Sequence, residues 1–345
     1  MPDLHTKYLG LTLRSPIVAS AGPLTGDVDR MRELASHGAA AIVLPSLFEE
    51  QIEHETNEID RLFSLHRDSF GEASSVLPEL DGYNSGVDRY LDLVEAAKAA
   101  VDVPVIASLN GTNIGGWLRY ATLLQDAGAD AIELNLYAVA ADPIVSGAAL
   151  ESEHFGLVAL LADEIVIPLA VKISPNYSSL ASFVVGLQEA GAAGVVMFNR
   201  FFLPDLDLET LDVTPRVALS TPEEVRLPLR WTGILHEHLS MSIAASSGVH
   251  SGYDVAKLIL AGADVAMTTS SLLRNGAGHL ATIEEQLRDW MTEHDYESVD
   301  QMRGAVSRAA VADPAAYERA NYIGNLASYT SSFLGGGGQL PLRQR

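Results

Sequence analysis

Short apolar runs recur along the chain, each entered through small residues and stopped abruptly by polar ones. Four share a Gly-Ala entry: HGAAAIVLPS (37–46), AGADAIELNL (127–136), AGAAGVVMFN (190–199) and AGADVAMTTS (261–270). Four more lie between them without it: RSPIVASAG (14–22), VPVIASLNG (103–111), IPLAVKISP (167–175) and SMSIAASSG (240–248). Each run is too short for a helix and too uniformly apolar for a strand with one wet face. Continuous Val/Ile/Leu/Ala runs mark strands buried on both faces. The segments between them predict helices at Asp27–His37, Tyr90–Ala100, Gly115–Ala127, Leu180–Ala190 and Tyr253–Ala261, most of them closed by a glycine. Ile283–His294 predicts a closing helix, and 316–329 also reads as helical.

Eight buried strands alternating with helices predict an α/β fold, a single (β/α)8 TIM barrel. Two connections are too long for simple loops. One runs from Phe48 to about Arg89, after strand 2; the other runs from Phe201 to about Trp231, after strand 6, and contains FFLPDLDLETLDVTP. Insertions of this size carry substrate contacts, form lids or build oligomer interfaces. The barrel is expected over 1–334, followed by a flexible glycine-rich tail at 335–345.

Composition narrows the function classes. A hydrophobic content of 48% over 345 residues excludes a disordered or fibrous chain. No apolar stretch approaches the ~20 residues of a membrane span, and the N-terminus lacks a secretory pattern, so a soluble, cytoplasmic protein is expected. The absence of cysteine excludes disulfides, cysteine-ligated iron–sulfur clusters and a cysteine nucleophile. A net charge of −23 argues against nucleic-acid binding, and its ordinary meaning is solubility. Any anionic ligand then needs local positive charge, which makes the few Lys and Arg near strand ends informative.

In such a barrel the strand ends carry the chemistry. Strands 7 and 8 end in Ser246-Ser247-Gly248 and Thr268-Thr269-Ser270, each followed by a helix. Hydroxyls, a glycine and helix N-terminal N–H groups suit a phosphate; ordinary N-capping is the plainer reading, but both features falling at strands 7 and 8 together favours phosphate. Lys172 is the only lysine within a predicted strand, aimed at the barrel mouth. Burying an ammonium needs an anion or dense hydrogen bonding. Lys172 could pair with Glu133 on the adjacent strand, act as a Schiff-base nucleophile, or offset negative charge on an electron-rich ring. Asn110, Asn135 and Asn199 end strands 3, 4 and 6. Each alone reads as a turn residue, but together they offer donors and acceptors to a planar heterocycle. The ten histidines are dispersed, so no metal site is expected.

At these positions the chain resembles the dihydroorotate dehydrogenase family of flavin-dependent barrels, and more closely its dihydroorotate dehydrogenase-like branch. ELNL (133–136), VKISP (171–175), FNR (198–200), SSGVHSGYDVAKLILAGADV (246–265) and TTSSLL (268–273) carry the resemblance, in that order and spacing. It implies FMN across the barrel mouth. Ser20, Ala21 and Gly22 would line the flavin, with Asn110 and Asn135 nearby and Lys172 at its N1/O2 edge. Asn199 would meet flavin or substrate, and Ser247 and Gly248 would approach the phosphate, with Thr269 and Ser270 donating to it. Arg200, beside Asn199, could pair with a substrate carboxylate, as could Arg226 or Arg230. The family also implies hydride transfer from dihydroorotate, in pyrimidine biosynthesis, and a homodimer. With no amphipathic helix ahead of the first strand and no cluster ligands, neither membrane quinone nor a nicotinamide partner is expected as acceptor.

The chain also departs from the family. Where a Cys or Ser base is usual after ELN, the sequence reads Tyr137-Ala138-Val139-Ala140, and Pro45 stands where a lysine is common. Ala138 cannot accept a proton, a loss of about 10²–10⁴-fold for a positioned base. Tyr137 could substitute, although its ordinary pKa of ~10 suits it poorly to neutral pH. Four readings follow: dihydroorotate or a similar small planar anion as substrate, another substrate on FMN, flavin binding without turnover, and a flavin-free lyase using Lys172.

Overall fold

The computed structural model describes residues 1–48, 86–110, 114–136, 139–200, 204–215 and 218–318. The eight expected strands form one closed parallel barrel. They are β1 (Ile17–Ala19), β2 (Ile42–Phe48), β3 (Val105–Asn110) and β4 (Ala131–Asn135), then β5 (Leu169–Ile173), β6 (Gly194–Met197), β7 (Ser242–Ser246) and β8 (Val265–Thr268). Neighbours in sequence are neighbours in the sheet, and β8 closes on β1.

Side-chain alternation sorts the strand residues into two packed layers. Ile17, Ile42, Leu44, Val105, Leu109, Leu134, Val171 and Val195 face outward, against the helices. Val18, Val43, Ile106, Ala131, Ala170, Val196, Ala244 and Val265 face inward and fill the barrel. Both faces of every strand are therefore dry, and that is why the runs read as continuously apolar rather than alternating. The helices fall where expected within a few residues, as Val28–Ser36, Gly86–Ala100, Ile114–Asp126, Leu180–Glu189, Gly252–Ala261 and His279–Glu293.

An N-terminal hairpin, Thr6–Tyr8 against Leu11–Leu13, closes the base of the barrel. Tyr8, Leu9 and Leu13 join the interior layer. The Leu9 N–H donates to Ser242 Oγ at 2.9 Å. Gly194 lets Leu9 in: a Cβ there would collide with the Leu9 side chain.

The second insertion is more ordered than a Pro-rich loop suggests. It carries a short hairpin, Pro204–Leu206 with Val213–Pro215, then a 3-10 turn at Pro222–Val225 that runs into a helix at Arg226–Leu235. Prolines fall in the first turns of these elements, where no intrahelical N–H is lost. A helix at Gly147–Glu164, not singled out from sequence, completes the outer ring. The first insertion beyond Phe48, the helical reading beyond Glu318 and the tail at 335–345 lie outside the described residues. Among the described residues, no helix is long and apolar enough to cross a membrane.

Candidate active site

Period-two alternation decides which side chains reach the barrel axis. On β5, Lys172 follows inward-facing Ala170; on β4, Glu133 and Asn135 follow Ala131; on β3, Ser108 and Asn110 follow Ile106. Toward the strands' C-terminal ends these inward positions change from aliphatic to polar, and a cavity of about 700 Å³ opens there. That size suits a small-molecule or cofactor site, typically ~300–1,000 Å³. Ser20, Ala21, Gly22, Asn110, Asn135, Lys172, Asn199, Arg200, Ser247, Gly248, Thr269 and Ser270 all line it. Of the expected site residues, only Tyr137, with Ala138 beside it, lies outside the described residues.

Lys172 and Glu133 meet at the deep end, their side chains 8% and 1% exposed. Lys172 Nζ donates to Glu133 Oε1 at 3.1 Å and to Ser20 Oγ at 3.4 Å, which leaves one N–H for a ligand. The ion pair uses this nitrogen as an ammonium, whereas Schiff-base attack needs its lone pair. Asn199 Nδ2 donates to Asn135 Oδ1 at 2.9 Å. The pair still has the Asn135 amide N–H donors and the Asn199 carbonyl to offer.

Pro45 sits where β2 and β3 shift register between Val43 and Ser46, a bulge that tolerates its missing N–H. Past that bulge, Ser46 Oγ and Ser108 Oγ lie 2.7 Å apart. Tyr90 clasps the same strand from outside, accepting the Ser108 N–H at 2.9 Å and donating to its carbonyl at 3.2 Å. Burial pushes the Tyr90 hydroxyl far above its ordinary pKa, so it works as a structural clasp.

At the rim where β7 and β8 end, the hydroxyls are partly engaged within the protein. Thr269 Oγ1 donates to the Ser20 carbonyl at 2.9 Å, tying β8 to β1. In this arrangement its single proton is engaged within the protein. Ser270 Oγ accepts the Ser220 N–H at 3.1 Å and keeps its own proton to give. Ser247 and Gly248 are both left-handed, with φ of 82° and 74°. At Gly248 a Cβ would run into the backbone of Glu224 and Val225. Protein packing alone therefore demands glycine here.

Residues 218–225 form a strap over this rim that the sequence reading did not place in the site. Ala218, Leu219 and Ser220 line the cavity. Ser220 Oγ lies 3.1 Å from His250 Nε2; burial and the neighbouring Arg274 push that imidazole's pKa below its ordinary value. Glu224 Oε1 accepts the Thr221 N–H at 3.0 Å, while Oε2 accepts from Arg200 Nη1 at 2.6 Å. Arg200 therefore reaches the cavity already paired. Arg226 and Arg230 are exposed on their helix and do not line it. The signal for the strap was the Thr-x-x-Glu spacing at 221–224, a helix-start pattern inside an apparent loop. Phe48, Phe198 and Met267 add apolar wall that was also not anticipated.

A closed parallel barrel with a largely apolar cavity that holds a cation, amides and hydroxyls at the C-terminal ends of its strands defines an α/β-barrel enzyme for a small molecule. The family model described as dihydroorotate dehydrogenase matches residues 3–291. The chain belongs to that family, which is one of oxidoreductases. It is 26% identical over 315 residues to the catalytic subunit of dihydroorotate dehydrogenase B (NAD(+)) from Thermoplasma volcanium, covering 88% of this chain and 98% of that protein. It is 24% identical over 331 residues to the chloroplastic dihydropyrimidine dehydrogenase (NADP(+)) of Arabidopsis thaliana, covering 88% and 76%. Dihydroorotate dehydrogenase A (fumarate) from Lactobacillus delbrueckii subsp. bulgaricus is 23% identical over 319 residues, covering 89% and 99%.

Proposed function

We propose that the chain is an FMN-dependent oxidoreductase that removes a hydride from a carbon of a small planar substrate, dihydroorotate or a related anion. The buried Lys172–Glu133 pair at the deep end of the cavity carries this reading. An ammonium kept at the base of a ligand-sized cavity, with an N–H still uncommitted, suits a ring on which negative charge gathers. The rest of the lining fits the same group. Ser247, Gly248 and Ser270 would hold its phosphate, and Ser20, Ala21, Gly22 and Lys172 its ring. Asn110, Asn135 and Asn199 would face ring or substrate. When bound, FMN supplies a hydride acceptor, which no side chain offers.

The chain's own residues supply position and charge. Lys172 stabilises negative charge beside it without reorganising, because Glu133 and Ser20 already fix its head. The Asn135–Asn199 pair presents a donor and an acceptor to a heterocycle edge. Pro45, Phe48 and Phe198 supply apolar wall that excludes water. For the proton, Tyr137 stands beside an alanine that can take none.

A second reading keeps the cofactor and changes the substrate. Arg200, the cation expected to receive a carboxylate, is held by Glu224 at 2.6 Å, which favours a substrate other than dihydroorotate. Purified protein tests both. A yellow, flavin-loaded chain is expected; colourless protein that also refuses added FMN would overturn both. Anaerobic dihydroorotate then separates them: bleaching of the flavin supports the first reading, and an unchanged spectrum leaves the second.

A further inference from the structure

Lys172 does not face the cavity as a lone charge. Glu133 Oε1 lies 3.1 Å from its Nζ, both side chains are buried, and Glu133 Oε2 has no hydrogen-bond partner. The β4–β5 register pairs Asn135 with Lys172 and Glu133 with Ala170, so the carboxylate belongs to the next inward position below the ammonium. Ser20 and Ser108 flank the pair, and the interior layer below it is apolar: Ile106, Ala131, Ala170, Val196 and Met267. Tyr8 rises from the base without a hydrogen-bond partner of its own. Of the described residues lining the cavity, only Lys172 and Arg200 carry formal charge, and Arg200 is matched by Glu224. Among the described residues, the charge at the deep end is therefore one pair that sums to zero.

We propose that Glu133 is a positioning residue that, through Lys172, lowers the reduction potential of the flavin bound above the pair. The inference rests on the FMN reading of the cavity. Reduction brings negative charge to the ring, and a positive neighbour favours it. Glu133 cancels much of what Lys172 would contribute alone, and it does so in a dry site where charges act at an effective dielectric of ~20 rather than that of water. Removing the carboxylate's charge while keeping its shape therefore tips the oxidised–reduced balance toward reduction by about tenfold or more, some 30 mV for a two-electron couple. A residue that merely packed would leave that balance where it was, and one that merely aimed the lysine would, once removed, let the potential fall.

Glu133→Gln keeps an oxygen for Lys172 Nζ and deletes the charge, and Glu133→Asp keeps the charge and retracts it by one methylene. Both are loaded with FMN and titrated anaerobically with dithionite against a reference dye, the dithionite supplying the electrons and the buffer the protons. The expected result is a potential raised by at least the tenfold equivalent in Glu133→Gln, with Glu133→Asp close to wild type. FMN-loaded Glu133→Gln whose potential falls, or rises by less than the equivalent of about tenfold, overturns the proposal and leaves the FMN reading standing. Wild-type chain that takes up no FMN overturns both. Should Glu133→Gln not fold, the double variant Glu133→Gln/Lys172→Gln leaves no lone buried charge and gives an independent answer. If the pair acts as a neutral unit, its potential stays within about threefold of wild type; if Glu133 is electrically silent, it falls by more than about tenfold, as for loss of the lysine alone.

Discussion

His154 lies on the inner face of the Gly147–Glu164 helix, edge-on to Phe183 with ring centroids 6.1 Å apart. Neither ring nitrogen has a hydrogen-bond partner. Burial pushes its pKa below the ordinary 6.5, partly opposed by Glu153. The fold thus holds the neutral ring, while the unfolded chain takes a proton near pH ~6.5. The stability involved is complete above that pH and drains away as pH falls through the lowered native value. Thermal melts of wild type and His154→Leu are expected to run parallel above pH ~7 and to diverge below ~6.5, with the variant losing less. Melts that stay parallel down to pH ~5 would count against this. Lys172 was legible in the sequence because a lysine inside an apolar run has few explanations. The Ser46–Ser108 contact was not, because it depends on the bulge at Pro45, and that depends on how two strands slip past each other. The Thr269 contact was not legible for a similar reason: its hydroxyl donates to a carbonyl 249 positions away in the chain.

Among the elements, the 218–225 strap joins three strand ends. Arg200 follows β6, Gly248 follows β7 and Ser270 follows β8, and each touches it. Gly248→Ala would place a methyl against the Glu224–Val225 backbone at a φ that also disfavours alanine. A loss of about 1–3 kcal/mol is expected, together with weaker FMN retention as the strap lifts. Denaturant unfolding and a flavin-release assay check the two effects; unchanged stability would mean that the strap yields without cost. The barrel strands were readable because both faces are dry, so composition alone marks them. The Gly147–Glu164 helix was harder. Its buried face of His154, Leu157, Val158 and Leu161 includes a histidine, and Leu160 is left 43% exposed, which blurs the contrast between faces. The helix at Arg226–Leu235 hid behind Pro222 and Pro228, which look like loop residues until their first-turn positions are known.

Across the whole molecule, a net charge of −23 means that self-repulsion works against compactness. Raising ionic strength from ~10 mM to ~150 mM shortens the screening length from ~30 Å to ~8 Å and spares the buried Lys172–Glu133 pair. The melting temperature is expected to rise over that range, as followed by circular dichroism; a fall would show that surface ion pairs outweigh the general repulsion. The barrel's closed circuit was foreseeable from eight runs in order, but its base was not. YLGL at 8–11 is too short to announce that it stoppers the cylinder. Leu9 docks on Ser242, 233 positions later, and slots in beside Gly194. The segment carrying Tyr8 and Leu9 therefore has nowhere dry to go until Gly194 and Ser242, far along the chain, are in place. That plug can seat only in a cylinder that already includes β6 and β7.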